Sequence, residues 1–98
     1  MQTATIRDVF ARVEAVQYKI KKIPGVPLVE CTKRGDELRE VPAGGSYAVT
    51  GATVTAVKGP AGGLQEVRAD QWIIRCSNGM FMVMDNVVFY NLFYVEGS

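Results

Sequence analysis

Histidine is absent from the 98 residues, and with it the commonest general base, triad member and neutral metal ligand. Cysteine occurs twice, as Cys31 and Cys76. They lie too far apart for a C-x-x-C pair, so neither a disulfide framework nor a thiolate zinc site is expected, and both thiols are read as reduced. Charge of one sign is not in excess: eleven Lys and Arg against ten Asp and Glu leave +1, which gives no long-range field to draw the chain onto nucleic acid or an anionic membrane. No window approaches 18 consecutive apolar residues, and the N-terminal MQTATIRDVFARVEAV has no basic stretch leading into an apolar one. Neither a spanning helix nor a secretory leader is expected. These absences point to a cytoplasmic protein with no membrane partner and no cofactor or metal.

What is present is an ordinary globular composition, 48% hydrophobic and 21% charged. A chain of this length folds as one domain, residues 1–98, and buries roughly 60–70% of its unfolded surface without staples. Gly97-Ser98 is read as a tail or cloning remnant.

Near the N-terminus two periods compete. Ile6, Val9, Phe10, Val13 and Val16 are spaced for a helix that Thr5 or Asp8 would cap, whereas Pro24 and Pro27 downstream favour extended chain. The expectation is a short helical turn before Phe10 and a strand after it. From Ile23 to Gly45 the chain is punctuated by Pro24, Gly25, Pro27, Gly35, Pro42, Gly44 and Gly45. Within it LVECT (28–32) and ELREV (37–41) are placed to pair as a polar, partly exposed ribbon. SYAVTGATVTAVK (46–58) reads as a long curved strand bent at Gly51. The loop GPAGG (59–63) then joins it to a returning strand over 64–68, and Ala69-Asp70 forms a turn.

In QWIIRCSNGMFMVMD (71–85) the Asn78-Gly79 pair fits a two-residue type I′ turn. That register sets Cys76 opposite Phe81, Arg75 opposite Met82, Ile74 opposite Val83 and Ile73 opposite Met84. Trp72, Ile74, Cys76, Phe81 and Val83 then share one face, the candidate core. The reverse face carries Ile73, Arg75, Met80, Met82 and Met84, too apolar to stand in water along its length. A C-terminal helix, another strand of the chain or a second subunit must cover it. A helix over 87–94, with Asp85 or Asn86 accepting from its first free amides, stacks Phe89 and Phe93 at i, i+4; Val87, Phe89, Phe93 and Val95 equally satisfy a strand pattern.

Two segments carry a family resemblance. RVEAVQY (12–18) resembles the V-E-A-[IV]-Q-[YW] strand of a group of small bacteriophage and prophage proteins. ADQWIIRCSNGMFMVMDNVVFYNLFYVE (69–96) is similar to their closing pattern, P-G-D-[WY]-[IL]-[IV], a glycine turn, a second strand and D-x-x-F-x-x-x-Y. Here Ala69-Asp70-Gln71 stands where those proteins have Pro-Gly-Asp, and their final Tyr falls on Phe93. The resemblance implies a small β-rich fold with a C-terminal helix and a phage origin, and it implies no activity. It also favours the helix over the strand after Asp85.

Catalytic chemistry finds little footing. Cys76 is expected to be inert packing on an inward face, and Cys31 to be the more exposed thiol, with Glu30 opposing its ionisation. Asp36, Glu37, Glu40, Glu66, Asp70 and Asp85 are scattered over turns and edges, with Asp70 a turn former and Asp85 a helix cap. GPAGG and PAGGS lack the lysine and following helix of a phosphate loop. Lys19, Lys21 and Lys22 beside Tyr18, and Lys33 with Arg34, read as solvated edges that deter strand pairing.

The expected fold is therefore α+β, mainly antiparallel β, a bent sheet or small barrel closed by a short C-terminal helix. The expected function is a non-enzymatic phage or prophage accessory role through protein interaction and self-assembly, as a homodimer or higher homo-oligomer or with a host or phage protein. Trp72, Ile73, Met82, Met84, Phe89, Tyr90 and Phe93 are its candidate interaction residues, and no catalytic residue is assigned. Binding of a nucleotide-like small molecule is the alternative, ahead of a small enzyme or a nucleic-acid binder.

Overall fold

Short β-branched runs separated by Gly, Pro and Asp turns build two antiparallel sheets. The computed structural model describes residues 1–7, 11–41 and 53–95. Within these residues the elements are β1 (Gln2–Ile6), β2 (Arg12–Gln17), β3 (Leu28–Thr32), β4 (Glu37–Glu40), β5 (Thr53–Lys58), β6 (Leu64–Glu66), β7 (Trp72–Arg75), β8 (Phe81–Met84), α1 (Asn86–Leu92) and β9 (Phe93–Val95). One sheet has the order β8-β7-β2-β1-β9 and the other β4-β3-β5-β6. The mainly antiparallel α+β fold with a short C-terminal helix is as expected, but neither sheet closes into a barrel.

Strand alternation gives the five-stranded sheet two greasy faces. Val16, Ile73, Phe81 and Val83 face the second sheet and pack with Leu28, Val57, Tyr18, Val26, Val41 and Val67. The opposite face carries Ala4, Ala15, Trp72 and Ile74, on which Phe89 and Phe93 rest. A third cluster of Val29, Cys31 and Ala56, flanked by Val54 and Leu64, lies on the outer face of the four-stranded sheet. Arg75 ties the layers together: Nη1 donates to Glu14 at 3.0 Å, Nη2 to the Gly25 carbonyl at 2.7 Å, and the guanidinium lies over the Phe81 ring.

Several expectations are corrected. Gln2–Ile6 is a strand, because β1 finds two partners, β2 and β9, that long-range pairing supplies and local periodicity does not show; residues 8–10 lie outside the described residues. The β3–β4 ribbon pairs as expected, yet β3 is buried, because β5 takes its other edge and the inner core takes Leu28. Of the long strand, Thr53–Lys58 is seen; its first part, with Gly51, lies outside the described residues.

The Asn78-Gly79 hairpin is one residue off the expected register. Gly79 N–H donates to the Cys76 carbonyl at 3.0 Å, and Cys76 N–H to the Met80 carbonyl at 2.8 Å. Gly79 has φ +83°, while Asn78 is not among the residues with positive φ. This is a type I turn closed by a left-handed glycine, a three-residue connection with a bulge rather than a type I′ turn. The Asn78 side chain supports it by accepting from Met80 N–H at 3.0 Å. Trp72 is thus opposite Met84, Ile73 opposite Val83, Ile74 opposite Met82 and Arg75 opposite Phe81. A slip of one residue exchanges faces: Met82 and Met84 join Trp72 and Ile74, whereas Phe81 and Val83 join Ile73.

Candidate functional site

The helix α1 is held to the sheet by aromatic rings. Trp72 stacks on Phe89 with centroids 3.9 Å apart, and Phe89 stacks on Phe93 at 5.0 Å. Tyr90 meets Trp72 and Phe89 edge-on, at 5.7 and 5.3 Å. Poor intrinsic propensity is overcome by this packing, since a seven-residue helix rich in β-branched and aromatic residues has little stability of its own. One turn is enough to bury Phe89. The chain then passes directly into β9, where Phe93 N–H still donates to the Phe89 carbonyl.

Polar contacts fix the start of the helix. Asp85 occupies the N-cap position but makes no side-chain cap bond; its Oδ1 accepts instead from Gln71 Nε2 at 2.8 Å. Asn86 Oδ1 accepts from Trp72 Nε1 at 2.8 Å and from Gln17 Nε2 at 3.1 Å. Gln17 Nε2 also reaches the Asp70 carbonyl at 3.0 Å, and Asp70 Oδ1 pairs with Lys19 Nζ at 2.6 Å. Asp70 turns with φ +71°, as its assignment as a turn former requires. Residues 12–18 and 69–95 therefore meet here, and their polar residues act as a latch between β2, β7 and α1.

The outer side of α1 is apolar and bare. Val87 is 73% exposed, and Val88, Tyr90 and Leu92 lie between 44 and 47%. From Cys76 to Val95 the only charged residue is Asp85. Beside the helix, Ile6, Val13, Ile74, Met82 and Phe93 line an open groove of about 860 Å³ whose rim carries Arg12, Glu14 and Arg75.

The candidate interaction residues divide accordingly. Trp72, Ile73, Phe89 and Phe93 are buried inside the fold, and Ile73 belongs to the inter-sheet core rather than to this face. Met84 is half-buried against the aromatic cluster. Met82 and Tyr90 are exposed. Sequence reasoning missed Val87, Val88, Leu92 and Tyr94, all exposed; the signal that marks them is the run of 20 residues with a single charge. It also missed Gln17 and Gln71, whose amides have no sequence signature, and Asn86, expected as a helix cap, accepts instead from Trp72 and Gln17.

The two thiols are reversed from expectation. Cys31 is buried, because β3 is an interior strand, and Cys76 is half-exposed at the end of the hairpin. Burial, with Glu66, Asp36 and Glu37 nearby, raises the Cys31 pKa and keeps the thiol protonated. A shallow groove of about 440 Å³ lies over Cys31, Val54, Ala56 and Leu64, with Lys33, Glu66 and Arg68 at its rim. Glu66 and Arg68 approach to 3.6 Å, so the two signs offset each other there. Glu30, on the inner side of β3, accepts from Arg39 Nε across the β3–β4 pair, and this bond and charge raise the Arg39 pKa further. Tyr18 is buried, with its hydroxyl donating to Thr55 Oγ1 at 3.3 Å, and Lys19 is paired with Asp70, so the expected cationic edge is smaller than its sequence suggests. Among the described residues no three Cys, Asp or Glu side chains converge as metal ligands, and no helix is long and apolar enough to cross a membrane.

No family model, no curated protein and no solved structure matches the chain.

Proposed function

We propose that the chain is a non-enzymatic interaction module that self-associates into a homodimer through the outer face of α1. The bare apolar side of that helix carries the reading. Val87, Val88, Tyr90 and Leu92, with Met82 on β8, are exposed and together present on the order of 500 Å², within the range of the largest apolar patch of a monomer. A twofold pair covering this area on both copies removes about 1,000 Å² from water, the lower limit for a specific interface. The groove lined by Val13, Ile74 and Met82 lies on the same face as the projecting helix.

The resemblance of residues 12–18 and 69–96 to small phage and prophage proteins supports an accessory role of phage origin, exerted in the cytoplasm. Sedimentation equilibrium over a wide concentration range tests the association. The expected result is a reversible monomer–dimer equilibrium that Val87→Glu and Leu92→Glu each shift to monomer without loss of folded signal. A wild-type chain that remains monomeric at the highest concentration overturns the reading.

A further inference from the structure

Among the described residues the two sheets present four edge strands, β4, β6, β8 and β9, and they differ sharply in charge. β4 carries Glu37, Arg39 and Glu40, all exposed, with Glu37 held by Lys58 at 3.0 Å. β6 carries Glu66, paired with Arg68. Charged edges resist the addition of a further strand. β8 has no charge, but it runs close to β6, and Phe81 and Met80 share a small cleft with Leu64, Gln65 and Gly63. The two sheets approach along that seam, so β8 has part of the second sheet beside it. Among the described residues only β9, Phe93-Tyr94-Val95, is an uncharged edge without a strand of the second sheet paired beside it.

The hydrogen-bond phase of β9 selects the occupant. Arg7 N–H donates to the Leu92 carbonyl at 2.8 Å, and β9 continues the same register against β1, with Thr5 opposite Tyr94. Bonded pairs recur at every second residue of an antiparallel ladder. Tyr94 therefore turns its N–H and carbonyl towards β1, and Phe93 and Val95 turn theirs outward. The Phe93 N–H is already committed to the Phe89 carbonyl. What remains is one donor, Val95 N–H, and the carbonyls of Phe93 and Val95.

We infer that β9 pairs antiparallel with β9 of a second copy about a twofold axis at Tyr94, so that Val95 N–H of each chain donates to the Phe93 carbonyl of the other and the two five-stranded sheets become one ten-stranded sheet. This inference rests on the self-association proposed above and names its axis. The pairing uses both outward donors without needing the committed Phe93 N–H. It places the two Tyr94 rings side by side in the non-bonded position, where cross-strand aromatic pairs approach most closely. Tyr94 is 39% exposed and carries Arg7 over its ring, so a stacked pair of tyrosines would be capped by a guanidinium from each chain. A second copy also extends the contact onto α1, which enters β9 without an intervening loop.

Val95→Pro tests the pairing. It deletes an outward N–H that no described strand uses and leaves the β1–β9 ladder complete. Tyr94→Lys is the second variant, adding a charge at an exposed position of the edge. Sedimentation equilibrium should show Val95→Pro weakening the dimer by roughly thirtyfold or more, the loss of two intermolecular hydrogen bonds, and Tyr94→Lys weakening it through like charges facing across the axis, with circular dichroism unchanged in both. In the wild type, hydrogen exchange at the Val95 amide should slow as concentration rises. If the wild type dimerises while both variants dimerise as tightly, or if Val95 exchange ignores concentration in a dimeric sample, β9 pairing is wrong and the α1 reading stands. If the wild type never dimerises, both readings fall together.

Discussion

Trp72 and Phe89 lie face to face, their rings 3.9 Å apart and 4° from parallel, and the residue next to the start of that contact, Asn86, closes it by accepting the indole N–H. Stacking and hydrogen bond together hold a helix that its own sequence barely supports.

Asn86→Ala leaves Trp72 Nε1 without its acceptor in a part-buried site and frees Gln17 Nε2 from one of its two partners. A loss of about 1–3 kcal/mol is expected in urea denaturation. Asn86→Asp keeps an oxygen in place and should lose less. Equal losses in the two variants would show that the acceptor is not what the site requires.

The hairpin geometry is separable by two substitutions. Gly79→Ala forces a side chain onto φ +83° and should cost about 1 kcal/mol or more. Asn78→Ala removes the bond to Met80 N–H but imposes no left-handed strain, so a loss of about 0.5–1.5 kcal/mol is expected. A type I′ turn would penalise both positions for positive φ, and a severe loss at Asn78, matching Gly79, would restore that geometry.

Face assignment predicts opposite outcomes at two hairpin positions. Ile73→Ala opens the inter-sheet core and should cost about 2–5 kcal/mol. Met82→Lys, on the exposed groove, should stay within about 0.5 kcal/mol for the dilute monomer while weakening the dimer. Chemical denaturation at low concentration measures the first effect, and sedimentation the second.

The thiols should behave unequally. A thiol reagent should modify Cys76 quickly in the native protein and Cys31 only at the rate of unfolding. Because the folded state raises the Cys31 pKa, the fold holds that proton at a pH where the unfolded chain has released it. The linkage therefore leaves stability intact below the unfolded thiol pKa of about 8.5 and lowers it as pH rises from there through the folded value. Urea midpoints compared between about pH 7.5 and 9.5 should fall more in the wild type than in Cys31→Val. Parallel falls would remove Cys31 as the cause.

Much of this architecture is legible in the residues. The alternation in RVEAVQ, LVECT, TVTAVK and WIIR marks four strands because a half-buried pleated surface demands period two. The Gly59–Gly63 loop marks its hairpin, and the apolar run around Asn78-Gly79 marks a strand pair apolar on both faces, although Met80 and Met82 stay exposed. The helix after Asp85 also shows, through the Phe89 and Phe93 spacing, although Phe93 ends as a strand residue because β1 offers it a ladder.

What local sequence does not contain is the choice between closely matched alternatives. Asn-Gly supports both a two-residue and a three-residue connection, and only the packing of Val83 against the second sheet and of Met84 against Phe89 selects one. Exposure of Cys31 depends on whether β3 is an edge or an interior strand, which is decided by β5, a distant segment. The sequence by itself determined most of the strands, though not β1 or β9, that neighbouring ones pair antiparallel and that residues 76–95 carry a single charge. Tertiary structure alone decided which side of each strand faces inward and which edge is left unguarded, because a one-residue slip or one added neighbour reverses those outcomes at almost no local cost in propensity.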